Sequence, residues 1–146
     1  MKKPQKNILV APLNWGLGHA TRCIPIIRAL IENDYNPIIA SDGKSLELLQ
    51  KEFPNLQTLK LPSYNILYAK NSFFFKLKLV LQVPKIIKVA KQEHELLNHW
   101  VQKYQLQGVI SDNRFGLYNS QIPTVYLTHQ ITVLSGLTTR ITSAIH

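Results

Sequence analysis

The sequence predicts an α/β fold, a Rossmann-like doubly wound parallel sheet, on two observations. Short apolar segments bounded by turn residues recur along the 146 residues, and amphipathic helical segments separate them. Strands that alternate with helices are typical of βαβ units, which build a parallel sheet covered on both faces. The length suits a single domain, residues 1–146, and 45% hydrophobic residues are enough to bury a core.

The predicted strands are short apolar runs. The first, Asn7–Pro12, is apolar enough to be buried on both faces of the sheet. The other four are Pro37–Ser41, Leu56–Leu61, Gly108–Ser111 and Pro123–Thr128. Between the first two strands, Pro25 either lies in the first turn of a helix that begins near Thr21, or kinks that helix. The other predicted helical segments are Ser45–Phe53 and Phe73–His99, the latter interrupted by Pro84.

Composition and charge narrow the function classes. The chain has 17 Lys and Arg against 8 Asp and Glu, a net charge of +9, which favours an anionic partner such as nucleic acid, a membrane surface or a phosphorylated substrate. The single cysteine, Cys23, excludes an internal disulfide framework and a cysteine zinc cluster, and we expect it to be a buried helix residue. No run approaches the ~20 apolar residues of a membrane span. The apolar start is interpreted as a strand rather than a signal peptide, so a cytoplasmic protein is expected.

A glycine loop with charged neighbours follows the first strand. Gly16 and Gly18 allow a tight turn and the close approach of a ligand, and the helix N-terminus behind them suits a phosphate. His19 projects from that end, and Arg22 lies one turn further along the same face. Because ligands bind at the carboxyl ends of strands in open α/β sheets, we predict that Gly16, Leu17, Gly18 and Arg22 bind substrate.

Two other interpretations of this loop stay open. One is a dinucleotide fingerprint, G-x-G-x-x-G/A, with Asp42 at the end of the second strand holding a ribose. Thr21 occupies the third glycine position, however, and a dehydrogenase has no obvious use for His19 and Arg22 there. The other interpretation is a purely structural loop.

The segment Pro12–Arg22 resembles the first-strand loop of GT-B glycosyltransferases, in particular the G-x-G-H-x-x-R type of the family 28 enzymes. Ser111–Leu117 and Tyr126–Gln130 are similar to the ends of the fourth and fifth strands in that subgroup. The resemblance covers nearly the whole chain, but only the N-terminal, acceptor-binding half of such an enzyme. It implies a C-terminal donor-binding domain that is absent from this chain, either truncated or a separate partner chain, without which the chain is expected to be inactive.

The resemblance implies an inverting transferase that moves a sugar from a nucleotide-sugar donor, expected to be a UDP-sugar, to a lipid-linked or cell-envelope glycan acceptor. It implies no metal or other cofactor, and no metal-ligand pattern is present. A histidine suits general-base chemistry near neutral pH, so His19 is the candidate base. The resemblance pairs it with Asp112, which could instead be a turn or helix cap. Further candidate substrate-binding residues are Asn113, Arg114 and His129, with solvent exposure as the alternative for Arg114.

A basic, aromatic stretch lies in the middle of the chain. No acidic residue occurs between Glu52 and Glu93, whereas seven lysines do. Apolar residues flanked by lysines are typical of segments that dock on anionic membranes, here the inner face of the plasma membrane. The predicted docking residues are Phe73, Phe74, Phe75, Lys76 and Lys78. The alternatives are a core helix with a solvated lysine face and a nucleic-acid site, which scarce arginine disfavours.

Two other functions remain open at this point. A GT-B sugar epimerase or nucleotide-sugar hydrolase shares the fold and the loop, and differs in which group attacks. A non-catalytic membrane-docking subunit would instead recruit a separate donor-binding chain.

Overall fold

The computed structural model describes residues 5–65 and 72–128, and over residues 72–80 it describes the backbone alone. The described part alternates strands and helices. In chain order these are β1 (Lys6–Pro12), α1 (Leu17–Glu32), β2 (Tyr35–Ser41), α2 (Gly43–Glu52), β3 (Thr58–Lys60), α3 (Ser72–Lys103), β4 (Leu106–Asp112) and β5 (Thr124–Leu127). All paired strands are parallel, in the order β3-β2-β1-β4-β5. The predicted Rossmann-like parallel sheet is confirmed.

Helices cover both faces of the sheet. Val10 of β1 packs with Cys23 and Ile27 of α1 on the face that α1 and α2 cover. Leu9, its neighbour in β1, packs with Leu97 of α3 on the opposite face. Because successive side chains of a strand point to opposite faces, the central strand β1 must be apolar throughout.

The two sides of the sheet diverge at β1. From β1 the chain passes through α1 to β2 on one side, and it returns through α3 to β4 on the other side. Such a topological switch point opens a crevice at the carboxyl ends of the two central strands. Pro12, the last residue of β1, is paired with Asp112, the last residue of β4. The loops that follow these strands therefore face each other.

Two prolines lie inside helices. α1 begins at Leu17 rather than near Thr21, so of the two predicted placements of Pro25 the one inside the helix is correct. α3 continues through Pro84, where the sequence predicts an interruption. A proline removes one intrahelical hydrogen bond, a local loss that tertiary packing of the surrounding turns offsets. Among the described residues, no helix combines the length and apolarity needed to cross a membrane.

Candidate functional site

The glycine loop borders open space at the switch point. Gly16 has φ +75°, a backbone conformation that favours glycine, and it immediately precedes α1. A Cβ atom added to Gly16 or Gly18 would meet no other atom within 4 Å. As the N-cap residue of α1, Gly16 has no side chain with which to cap the first turn. The backbone N–H groups of that turn are therefore suited to an anion.

His19 and Asp112 meet at this crevice. His19 lies in the first turn of α1, and its Nδ1 is 3.0 Å from Oδ1 of Asp112 at the end of β4. Asp112 is fully buried, while His19 keeps 8% of its surface exposed. The predicted pair is therefore in contact, and Asp112 binds side chains of α1 rather than capping a helix.

Arg22 shares the same carboxylate. Its Nε donates to Oδ2 of Asp112 at 3.1 Å and its Nη2 donates to Oδ1 at 2.5 Å. The same Nη2 is 3.0 Å from Nδ1 of His19. The Arg22 side chain is 38% exposed. Three of the predicted site residues thus form one cluster, with a buried anion between a cation and an imidazole.

Cys23 lies beneath this cluster, with its Sγ 4.0 Å from Oδ2 of Asp112. Burial raises the pKa of the Cys23 thiol to about 12, and the Asp112 carboxylate contributes to the rise. The thiol is therefore protonated at neutral pH. Cys23 is a buried helix residue, as predicted, and not a nucleophile.

Arg114 requires a correction. Its side chain faces neither solvent nor an open crevice, because it is fully buried and pairs with the carboxylates of Asp42 and Glu93. Its Nη1 is 2.5 Å from Oε1 of Glu93. Its Nε and Nη1 also donate to the carbonyls of Pro12, at 3.1 Å, and Pro62, at 3.3 Å. We call Asp42, Glu93 and Arg114 the arginine hub, because this cluster ties together the ends of β1 and β2, helix α3 and the loop after β3.

Glu93 is a hub residue that the sequence interpretation missed. Burial raises the pKa of its carboxyl, although Arg114 and two other hydrogen-bond donors oppose the rise. Those donors are the Tyr64 hydroxyl, at 2.6 Å, and the Gly116 backbone N–H, at 3.1 Å. A signal was present in the sequence: Glu93 interrupts the apolar stripe of α3, four residues from Val89 on one side and four from Leu97 on the other.

Asp42 does not support the dinucleotide interpretation. One of its oxygens accepts from Arg114, and the other accepts from the Asn14 amide at 3.2 Å. The Asn14 oxygen in turn accepts the backbone N–H of Ser45 at 3.3 Å, which fixes the start of α2. Because Asp42 is also only 4% exposed, its carboxylate is not available to a ribose hydroxyl.

The remaining predicted binding residues have separate surroundings. Asn113 adopts φ +57°, a conformation that asparagine tolerates, and its N–H donates to the Leu127 carbonyl at 3.1 Å. It is half-buried beside Asp112. Leu17 is exposed at the start of α1. His129 lies outside the described residues.

An exposed aromatic pair, Phe115 and Tyr126, stands on the α3 side of the same sheet edge. The ring centroids are 6.3 Å apart, and 50% of Phe115 and 43% of Tyr126 are exposed. Phe115 also meets the buried ring of Tyr64 edge-on. Partial burial, with the charges of Asp112 and Glu93, raises the pKa of Tyr126 to about 12, so its hydroxyl is protonated at neutral pH. Sequence reasoning missed this pair, since exposure of an aromatic residue is set by tertiary structure.

The predicted membrane segment coincides with the first half of α3. The side chains of Phe73, Phe74, Phe75, Lys76 and Lys78 lie outside the described residues. In the following turns, Leu81, Val83 and Ile87 are exposed beside the exposed lysines Lys85 and Lys88. We call these five residues the α3 outer face. In the part of the chain with described side chains, no group of three or more His, Cys, Asp or Glu is arranged to hold a metal ion.

No family model and no curated protein matches the chain. Among solved structures, the chain is similar to Phytolacca americana UGT2 complexed with UDP-2fluoro-glucose and pterostilbene, with a TM-score of 0.56 and 18% identity over 86% of this chain and 31% of that chain. It is also similar to a UDP-glucosyltransferase from Polygonum tinctorium capable of glucosylating indoxyl, with a TM-score of 0.50 and 13% identity over 77% and 26% of the two chains. The chain spans less than a third of the length of either protein. The likeness shows the fold, a Rossmann-like half of the GT-B architecture.

Proposed function

We propose that this chain is the acceptor-binding half of a glycosyltransferase that moves a sugar from a UDP-sugar to a lipid-linked or cell-envelope glycan, with inversion. The observation that carries the proposal is the contact between His19 and Asp112 at the switch point, 3.0 Å between Nδ1 and Oδ1. The fold, shared with UDP-glycosyltransferases, supports it. The donor-binding half belongs to the same polypeptide or to a partner chain.

The proposed chemistry uses the two ring nitrogens of His19 differently. When Nδ1–H donates to Asp112, the lone pair for base catalysis is on Nε2, on the other side of the ring. Nε2 takes the proton of the acceptor hydroxyl, whose oxygen then attacks C1 of the sugar as the bond from C1 to the diphosphate breaks. Asp112 stabilises the imidazolium that forms, and UDP leaves with the bonding electron pair.

The leaving diphosphate would lie against the glycine loop. Gly16 and Gly18 border open space, so a ligand can approach the backbone there. The N-terminus of α1 and the half-exposed guanidinium of Arg22 both favour negative charge at that place. On the opposite side of the sheet edge, the aromatic pair offers rigid apolar faces against which the rings of an acceptor can pack.

The test is UDP release by the chain together with its donor-binding half, in the presence and absence of acceptor. We expect His19→Ala to lower kcat by about 10²–10⁴-fold, the usual contribution of a general base. His99→Ala is the matched control, because His99 is an exposed histidine of α3, on the face of the sheet opposite α1. Unchanged turnover in His19→Ala would remove His19 as the base. UDP release without acceptor would instead favour a hydrolase, and an altered UDP-sugar an epimerase.

A docking role on anionic membranes is the second proposal, and the α3 outer face favours it. Leu81 and Ile87 are 69% and 51% exposed next to lysines. Partial insertion of apolar side chains, with roughly 1 kcal/mol per lysine at an anionic surface, is enough for reversible binding.

Vesicle co-sedimentation tests the docking proposal. We expect binding to vesicles that contain phosphatidylserine and little binding to neutral ones. Ile87→Ser should lower the bound fraction several-fold, whereas Ile31→Ser, a similarly exposed isoleucine on α1, should not. Equal loss in the two variants, or binding that is independent of lipid charge, would contradict it.

A further inference from the structure

Three atoms of different chemistry form a triangle at the crevice. Nδ1 of His19 is 3.0 Å from Oδ1 of Asp112 and 3.0 Å from Nη2 of Arg22, and the last two atoms are 2.5 Å apart. A guanidinium only donates hydrogen bonds, and a carboxylate only accepts them. Nδ1 therefore lies between a donor and an acceptor, and it cannot satisfy both at once.

The two contacts select opposite tautomers of the neutral imidazole. If Nδ1 carries the proton, it donates to Asp112, and Nε2 has the lone pair. If Nδ1 accepts from Arg22, the proton is on Nε2. Only in the first tautomer is the basic lone pair on Nε2, the ring nitrogen that points away from Asp112.

We propose that Arg22 is a positioning residue that sets the tautomer of His19, and thereby whether Nε2 can accept a proton. This inference rests on the proposed function, in which His19 is the base. Asp112 is fully buried at the end of β4, so it is the fixed member of the triangle. Arg22, with 38% of its side chain exposed, is the member that can rotate.

An anionic ligand at the crevice shifts the equilibrium between the two tautomers of His19 towards the Nδ1–H form. A diphosphate near the glycine loop attracts the Arg22 guanidinium, because charge-assisted hydrogen bonds to phosphate are strong and frequently bidentate. When Nη2 leaves Nδ1, the Nδ1–H tautomer gains the Asp112 contact without competition from Arg22. The tautomer with its lone pair on Nε2 is therefore more populated when a diphosphate is bound than in its absence.

The tautomer can be measured directly on the ¹⁵N-labelled chain, without any turnover. Long-range ¹H–¹⁵N spectra distinguish protonated from unprotonated ring nitrogens. His19→Gln assigns the signals of this histidine among the five in the chain. We expect Arg22→Met to shift the population about tenfold towards Nδ1–H, the effect of removing one hydrogen bond of ordinary strength. Inorganic pyrophosphate should shift the wild-type signals the same way and leave those of Arg22→Met unchanged.

Arg28→Met is the matched control, because Arg28 is on the same helix and pairs with Glu52 at the surface. Arg22→Lys covers the case in which the methionine variant does not fold. It keeps a cation next to Asp112 but has one donor nitrogen in place of the planar fork, so we expect an intermediate shift. An unchanged tautomer population in these Arg22 variants would overturn the proposal. Loss of turnover in His19→Ala with no tautomer shift would leave the transferase standing without this role for Arg22. A tautomer shift with full turnover in His19→Ala would refute the base instead.

Discussion

Arg22 and Arg114 both bind buried carboxylates near the same sheet edge, but their surroundings assign them different roles. Arg22 is 38% exposed and binds one carboxylate, which it shares with an imidazole. Arg114 is fully buried between two carboxylates and also donates to two backbone carbonyls. The comparison shows that a side chain's connections, rather than its type, decide whether it can respond to a ligand. Arg22 has an exposed side that a ligand can reach, whereas Arg114 is enclosed between its partners and no ligand can reach it.

The largest expected effect is on the arginine hub. Arg114→Met leaves Asp42 and Glu93 buried without their common cation, so we expect a loss of about 3–5 kcal/mol in the free energy of unfolding. Urea denaturation measures it. Arg28→Met breaks an exposed ion pair with Glu52 and should cost less than about 1 kcal/mol. Similar losses in the two variants would mean that the hub is no stronger than a surface pair.

The two regions also differ in how tightly the backbone is packed at a glycine. Gly116, two residues after Arg114, packs directly against α3, and a Cβ there would lie 2.0 Å from the carbonyl oxygen of Ala90. We expect Gly116→Ala to destabilise the fold by about 1–3 kcal/mol, as overpacking does. Gly18→Ala places its methyl group in open space and within a helix, so thermal unfolding should show an unchanged or slightly higher Tm. If both variants melt at the same temperature, the contact at Gly116 is not rigid.

The effect that is smallest at neutral pH concerns Cys23, which lies beneath the cluster of His19, Arg22 and Asp112, and it appears only as the pH rises. The pKa of its thiol is raised from 9.0 to about 12, so between these values the unfolded chain releases a proton that the native chain keeps. The native state then binds more protons, and stability falls as pH rises, by at most about 1.4 kcal/mol per pH unit. Urea midpoints of the wild type and of Cys23→Ala should therefore converge as pH rises from about 9. Parallel curves would indicate that water reaches the thiol in the native state.

The sequence is sufficient to predict the parallel α/β architecture and which charged residues lie at the crevice. β1, the glycine loop and the Asp112 strand end are local patterns, and the rule that parallel strands end at one edge brings them together. His19, Arg22 and Asp112 are therefore predictable as neighbours from the order of their elements, although the atoms that touch are not.

The hub and the aromatic pair are not predictable in the same way. Arg114 follows a strand end, a place where solvent exposure is the ordinary expectation, and its burial depends on Glu93 from a helix that crosses the other face of the sheet. Pro84 misleads for a related reason. The local effect of a proline on a helix is known, but the packing that carries α3 past Pro84 is a property of the whole domain.

The insertion of β4 beside β1 has a consequence for how the molecule is assembled. The contact between His19 and Asp112 spans 93 positions, and that between Arg114 and Pro12 spans 102. Closing so long a loop costs entropy that is recovered only when the last central strand pairs. A nascent chain that ends before residue 106 contains β1 to β3 and α1 to α3 but neither cluster. The His19–Asp112 contact and the arginine hub therefore both form only after β4 has been made and has paired with β1.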